Sequence, residues 1–263
     1  MNITFLGTGT SHGVPPLDCM INNYETCPQN VCRLSFSDQK HRRTRSSIFI
    51  ETNTSSIIID ISEDFRFQAL REQIKKIDYA LITHAHADHV GGIPDIRSYT
   101  VDKPLPLYGS AHTIQQLMST YSYIFDPSTF VGGGIPSLKT VTVNDTFFLD
   151  SNRITPITVE HGRVDGCYGY RIGDVAYIPD MKSISATEME KLQGLDVLIL
   201  NCLRRSRPHS THLILPESIE LAQKLKPSFC YFIHMSHDIH YQLDSVALES
   251  WMQFSYDGLK ISI

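Results

Sequence analysis

Apolar side chains along this chain come in short runs bounded by Gly, Pro, Asn and Asp, and most runs carry the alternating or β-branched pattern of strands. Residues 2–6 (NITFL) predict an opening strand, followed by the glycine-rich turn Gly7-Thr8-Gly9-Thr10-Ser11. Residues 45–51 (RSSIFIE) and 56–60 (SIIID) predict a hairpin around Asn53-Thr54. The spacing turns helical over 62–76, where Phe65, Ala69, Leu70 and Ile74 form the predicted buried stripe. A run at 80–82 then leads into a polar loop. Beyond it, 93–99 reads as a helical turn, 105–109 as a strand and 110–121 as a helix with Ser110 as N-cap. Residues 138–149 and 153–159 alternate like strands, and 168–172 with 175–178 predict a hairpin around Gly173-Asp174. Helices at 185–192 and 216–225 and strands at 196–201 and 230–233 follow. With no internal repeat, linker or low-complexity tract, the pattern predicts one α/β domain over 1–263.

The runs end in chemistry. After 80–82 come His84, His86, Asp88 and His89, a density of metal-ligand side chains that folding alone does not require. In an extended segment residues two apart point the same way, so His84 and His86 can serve one ion. Asp88 and His89 follow as the backbone turns, and their direction suits a second ion. Imidazole and carboxylate together favour zinc, manganese or iron and argue against calcium. The pattern recurs at Glu160-His161-Gly162, at Pro179-Asp180 and at His234, each at the end of a β run. Asp60 also ends a strand, where it either caps the next helix or sits behind a ligating His.

Composition narrows the partners. Hydrophobic residues at 41% and charged ones at 19% describe a globular chain with a sizeable core. A net charge of −5 offers no broad basic face for long nucleic acid, although a metal pair supplies positive charge locally for a compact phosphate ester. There is no signal peptide and no run approaching the ~18 apolar residues of a membrane span, so the expected location is cytoplasmic, away from any membrane. Thiols there stay reduced. Cys19, Cys27 and Cys32 cluster within the irregular stretch 13–47 and suggest a metal, one ligand short of a tetrahedral structural zinc site. Cys167, Cys202 and Cys230 are scattered and read as small buried hydrophobes. The aromatic, glycine-rich stretch 125–136 reads either as a lid or as a plain surface connection.

The ordered set GTGTS, Asp60, His84-x-His86-x-Asp88-His89, His161-Gly162, Asp180 and His234 resembles the metallo-β-lactamase superfamily of hydrolases. The resemblance implies a four-layer αββα sandwich with two catalytic metal ions, zinc or manganese, between the sheet edges. It assigns His84, His86 and His161 to one ion, Asp88, His89 and His234 to the other, and Asp180 to both. Further residues resemble the PhnP-type phosphodiesterases, relatives of the tRNA 3′-processing endonucleases. They are Gly13-Val14-Pro15, Arg43-x-Arg45-Ser46-Ser47, Asp64-Phe65-Arg66-x-Gln68, His209-x-x-His212 and His234-Met235-Ser236-His237-Asp238. That resemblance implies a structural zinc held by Cys19, Cys27, Cys32 and His237. The cysteines are more widely spaced here than in the family.

Two ions in such a pocket lower the pKa of a bridging water and leave a hydroxide nucleophile at neutral pH. The expected activity is therefore that of a dinuclear metal-dependent phosphodiesterase on small or cyclic phosphodiesters. The implied catalytic residues are Asp88 and a general acid, His212 or in second place His209, because related enzymes use a His from the segment before the last helix. A thioesterase or lactonase would use the same metals and is the alternative. The stretch 131–136 is too short for the arm with which tRNA-processing relatives grip tRNA, so a small-molecule substrate is expected. By analogy with related enzymes, a homodimer is expected too.

Overall fold

The computed structural model describes residues 1–130, 132 and 134–263. Val131 and Gly133, part of the stretch read as a lid or connection, lie outside the described residues. Among the described residues there are fourteen strands: β1 (Asn2–Gly7), β2 (Ser47–Glu51), β3 (Ser56–Ile59), β4 (Tyr79–Leu81), β5 (Leu105–Gly109), β6 (Leu138–Thr142), β7 (Phe147–Leu149), β8 (Asn152–Thr158), β9 (Tyr168–Ile172), β10 (Val175–Ile178), β11 (Val197–Asn201), β12 (Phe229–Ile233), β13 (Met252–Phe254) and β14 (Lys260–Ser262). They form two seven-stranded sheets, ordered β14-β1-β2-β3-β4-β5-β6 and β13-β12-β11-β10-β9-β8-β7.

The sheets stack face to face. Ile3, Ile50, Ile59 and Leu81 of the first pack with Tyr170, Val175, Ile199 and Ile233 of the second. Each outer face is covered in turn. Phe65, Ala69, Ile114 and Leu117 pack helices Phe65–Glu72 and Ala111–Thr120 on the first sheet, and Ala222 and Leu225 pack helix Leu215–Leu225 on the second. The result is the four-layer αββα sandwich expected from the sequence. Central strands such as β11 (VLILN) are buried on both faces, which is why they read as continuous apolar runs rather than alternating ones.

Most predicted elements are present, and Ser110 caps its helix by accepting the Thr113 N–H at 3.1 Å. Three readings need correction. The helix predicted over 62–76 spans only Phe65–Glu72, because Gln73 turns left-handed (φ +54°), so Ile74 lies beyond it. Leu70 is not in the buried stripe: it is 64% exposed, while Gln68 is fully buried and donates to the Arg45 carbonyl at 2.9 Å. Leu70 lies five residues from Phe65, about 140° around the helix, which turns it outward. The alternating run 138–149 is two strands, β6 in one sheet and β7 in the other, separated by a turn at Asn144-Asp145. Strands β13 and β14 close the two sheet edges, and β14 pairs antiparallel with β1 through Ile3 and Ile261. No helix among the described residues is long and apolar enough to cross a membrane.

Candidate metal centre

Loops at the ends of five strands converge on one rim. β4 runs on through Ile82 and Thr83 to His84, and the backbone stays extended at His86 (φ −67°, ψ 150°). One helical turn, Ala87–Val90, then reverses direction and brings Asp88 and His89 inward, with the His89 N–H donating to the His86 carbonyl at 3.0 Å. From the second sheet, β8 leads to His161, β10 to Asp180 and β12 to His234. Asp60 and His234 both have left-handed backbone, at φ +64° and +61°. Such strain costs a non-glycine residue on the order of 1–3 kcal/mol and persists where the surroundings enforce it.

Two groups of ligand atoms result. His84, His86, His161 and Asp180 bring theirs within 4.8 Å of one another, and so do Asp88, His89, Asp180 and His234. Asp180 belongs to both. Its Oδ2 lies 3.6 Å from His84 Nε2 and 3.4 Å from His161 Nε2, while its Oδ1 lies 3.5 Å from His89 Nε2 and 2.9 Å from His234 Nδ1. His84 Nε2 and His86 Nδ1 face each other at 2.9 Å.

The outward ring atoms are fixed by hydrogen bonds. His161 Nδ1 donates to the Thr211 carbonyl at 2.9 Å, and His89 Nδ1 donates to Asp60 Oδ2 at 2.7 Å. Thr83 Oγ1 donates to both Asp60 oxygens, at 3.0 and 2.9 Å, and lies 3.1 Å from His84 Nδ1. Thr10 Oγ1 and Ser46 Oγ flank the His234 ring at 3.2 Å each. In His84, His89 and His161 one nitrogen is so occupied and the other is set to face the centre, whereas His234 has a hydroxyl beside each nitrogen.

These residues fit divalent cations. His89 Nε2 and Asp180 Oδ1 are buried and make no hydrogen bond of acceptable geometry, an expensive arrangement unless a cation takes those lone pairs. Charge points the same way. Burial disfavours charge on both, yet His234 and His89 hold Asp180 well below the usual carboxylate range, and Asp88, Asp180 and Asp60 hold His89 well above its ordinary value, so three carboxylates favour a positive charge here that a bound cation would supply in place of the His89 proton. Burial and the neighbouring His89 keep His84 neutral, as a ligand requires.

A second donor cluster lies outside this rim. Cys19, Cys27, Cys32 and His237 bring their ligand atoms within 4.8 Å of one another. Cys32 Sγ is 3.3 Å from His237 Nδ1, and Cys27 Sγ accepts the Cys32 N–H at 3.2 Å. The wide spacing of the cysteines is absorbed by helix Leu17–Ile21 and the turns after it. All six cysteines are free thiols, and Cys167, Cys202 and Cys230 are buried in the core.

His212 is stacked on His234 (centroids 4.8 Å apart, 21° between planes) and packs edge-on against His161 at 4.7 Å. Burial drives it down to about 3. His209 is further out, 5.2 Å from His212, and its Nδ1 accepts from Thr211. A cavity of about 340 Å³ opens over the His/Asp groups and reaches His212 and Arg163. A neighbouring cavity of about 270 Å³ is lined by Ser11, His12, Arg204, Arg207, His209 and His212, among others. Sequence reasoning missed Thr83, Thr10, Arg163 and Ser11 as site residues. Thr10 and Ser11 stand in the quoted GTGTS turn, which was read for its glycines, whereas Thr83 and Arg163 carry no signal of their own.

Residues 55–235 match the family model described as the beta-lactamase superfamily domain. The crystal structure of a new diphosphatase from the PhnP family is similar at 37% identity and a TM-score of 0.86, covering 100% of this chain and 97% of that one. An octanoyltransferase of Porphyromonas gingivalis (strain ATCC BAA-308 / W83) is 33% identical over 100% of this chain and 52% of its own length, so the chain spans about half of that relative. A metal-dependent hydrolase of Staphylococcus haemolyticus (strain JCSC1435) is 30% identical over 58% of this chain and 67% of its own length.

Proposed function

The chain belongs to the metallo-β-lactamase superfamily, as a metal-dependent hydrolase near the PhnP family, and on that premise we propose that it is a phosphodiesterase acting on small or cyclic phosphodiesters. The observation that carries the reading is the sharing of Asp180 by two ligand groups, buried except for His86, with His212 stacked on His234 beside them. His84, His86, His161 and Asp180 would hold one divalent ion, zinc or manganese, and Asp88, His89, His234 and Asp180 a second. When bound, the pair supplies a water of lowered pKa and positive charge for the phosphoryl oxygens. Cys19, Cys27, Cys32 and His237 would hold a structural zinc.

The chain's own residues do the rest. Asp180, shared by the two groups, would offset the mutual repulsion of two bound cations. Asp60 and Thr83 keep His84 and His89 oriented, so that the cleft is set before substrate arrives. In the reaction the water gives up a proton to solvent as its oxygen forms a new bond to phosphorus, and the bond to the leaving alcohol breaks. His212 Nε2 gives its proton to the departing oxygen, a role worth typically ~10² to 10⁴ in rate. In the free protein burial keeps His212 neutral, and an anionic diester against its ring favours the protonated form that the role needs. His209 is the second choice, because it lines the outer cavity and not the one over the His/Asp groups.

A carbonyl substrate is the second reading, favoured by the name of the P. gingivalis relative, an octanoyltransferase. Nearly half of that relative lies outside the match. The two readings separate in one experiment: turnover of bis-p-nitrophenyl phosphate and a 2′,3′-cyclic nucleotide, beside a thioester and a lactone. Diester hydrolysis supports the proposal, and activity on the thioester or lactone alone replaces it with the second reading.

A further inference from the structure

Arg43 is the largest side chain that the fold buries completely, and it makes no ion pair among the described residues. Its guanidinium donates instead to two backbone carbonyls, Ser236 at 2.8 Å and Ile239 at 2.9 Å, and its Nε is buried without a partner. Burial lowers the group to about 10, so it remains a cation at neutral pH. The two carboxylates that face it are committed elsewhere. Asp257 accepts from Thr8 and Thr44 and pairs with Arg71, while Asp244 accepts the His240 N–H and pairs with Arg205. A buried cation without a counter-ion is costly, and this one has no role in hydrolysis at the His/Asp centre.

The thiol cluster stands where the missing charge is wanted. The two carbonyls bracket His237, whose Nδ1 lies 3.3 Å from Cys32 Sγ. Through its backbone Arg43 exchanges both hydrogen bonds with Val14, at 3.0 and 2.8 Å, and Val14 packs against Cys19, Val31 and Cys32. Cys202 also faces Arg43, but burial raises it to about 12 and leaves it neutral. Without a metal ion Cys19 and Cys32 are neutral too, because burial raises both. Three thiolates and a neutral imidazole around a divalent ion leave one net negative charge, the complement of Arg43. The loop that Arg43 grips also serves the His/Asp centre, since it begins at His234. Met235 is pinned to the first turn, its N–H donating to the Thr8 carbonyl at 2.9 Å and its carbonyl accepting the Thr10 N–H at 3.2 Å.

We propose that Arg43 is a positioning residue that joins the two metal sites. Its charge balances the thiolates that a divalent ion draws from Cys19, Cys27 and Cys32, and its bonds to residues 236 and 239 pass the occupancy of that cluster on to His234. Filling the thiol cluster then raises the metal affinity of Asp88, His89, Asp180 and His234. This rests on the metal-binding reading of the thiol cluster.

Cobalt(II) separates the two sites, because thiolate-to-cobalt charge-transfer absorbance arises only where cysteines ligate and the His/Asp groups contain none. Titration of the metal-free protein is expected to develop this absorbance. Cobalt should bind the cluster ~10- to 100-fold more weakly in Arg43→Met, and close to wild-type affinity should return in Arg43→Lys, which keeps the charge. Wild-type affinity in Arg43→Met overturns the counter-ion role, and so does an equal loss in Arg43→Lys. If the Met variant does not fold, Arg43→Gln takes its place. The coupling is read by calorimetry with manganese, which thiolates bind poorly, before and after one equivalent of cobalt has filled the cluster. Manganese is expected to bind the wild type ~10-fold more tightly afterwards, and Arg43→Lys, which cannot span both carbonyls, equally before and after. No gain in the wild type, or the same gain in Arg43→Lys, overturns the coupling. Absence of the charge-transfer absorbance in the wild type would instead refute the metal-binding reading of the cluster, and the proposal with it.

Discussion

Nδ1 of His89 lies 2.7 Å from Oδ2 of Asp60, and both side chains are completely buried. Asp60 reaches His89 from the end of a neighbouring strand, and it also accepts the N–H and the hydroxyl of Thr83. One carboxylate therefore orients a proposed ligand and pins the loop that carries three others. Asp60→Asn is expected to lower metal affinity ~10- to 100-fold, the usual cost of losing an outer partner of a ligating His. Metal titration followed by calorimetry checks this, and wild-type affinity in the variant would remove Asp60 from the account.

His212 gives a prediction that depends on the substrate. Its replacement by Ala is expected to slow hydrolysis of a methyl or ribosyl ester ~10²- to 10⁴-fold, because an alkoxide leaves poorly without a proton. Loss on bis-p-nitrophenyl phosphate should be much smaller, since p-nitrophenolate needs no acid. Equal losses on both esters would assign His212 a structural role.

The thiol cluster predicts opposite pH responses with and without metal. Burial raises Cys19 and Cys32 above the ordinary thiol value. In the metal-free protein the unfolded thiols therefore ionise first, and stability is expected to fall as pH rises past ~9. A bound cation must displace those protons, so its affinity rises with pH and the metal is lost on the acid side. Tm measured across pH on chelated and zinc-loaded protein should show the two trends. Identical profiles would mean that the four residues hold no ion.

Gly92 sits where two loops of the centre lie close together. A Cβ there would run into the Ser62 carbonyl, just after Asp60, and into Phe65. Gly92 also donates its N–H to the Ile61 carbonyl at 2.9 Å. Gly92→Ala must push the His loop away from the Asp60 loop, at an expected ~1–3 kcal/mol by chemical denaturation. Wild-type stability would show that the loops have slack.

Much of this was legible in the sequence, because the ligand types are rare enough to stand out and the strands that deliver them are short apolar runs. His84, His86, Asp88, His89, His161, Asp180 and His234 come together as their pattern suggested. Cys19, Cys27, Cys32 and His237 do so as well, despite a spacing that argued against it, since a short helix takes up the extra residues. Other features depend on tertiary contacts that periodicity does not encode. Leu70 is apolar yet faces water while Gln68 is buried, its Nε2 donating to the Arg45 carbonyl and to Thr44 Oγ1. The split of 138–149 between two sheets turns on Asn144-Asp145, an ordinary polar pair in a run that otherwise alternates. Thr83 gains its significance only from Asp60 and His84, which stand next to it in space.

The most direct test of the central claim is diester turnover as divalent ions are returned to chelated protein, with bound metal counted on the same samples. Hydrolysis of bis-p-nitrophenyl phosphate should vanish on chelation, return as zinc or manganese is restored, and fail to return in Asp180→Asn, where the carboxylate shared by both groups is neutral. Diester hydrolysis that persists in the chelated protein, or that Asp180→Asn recovers in full, would contradict the account.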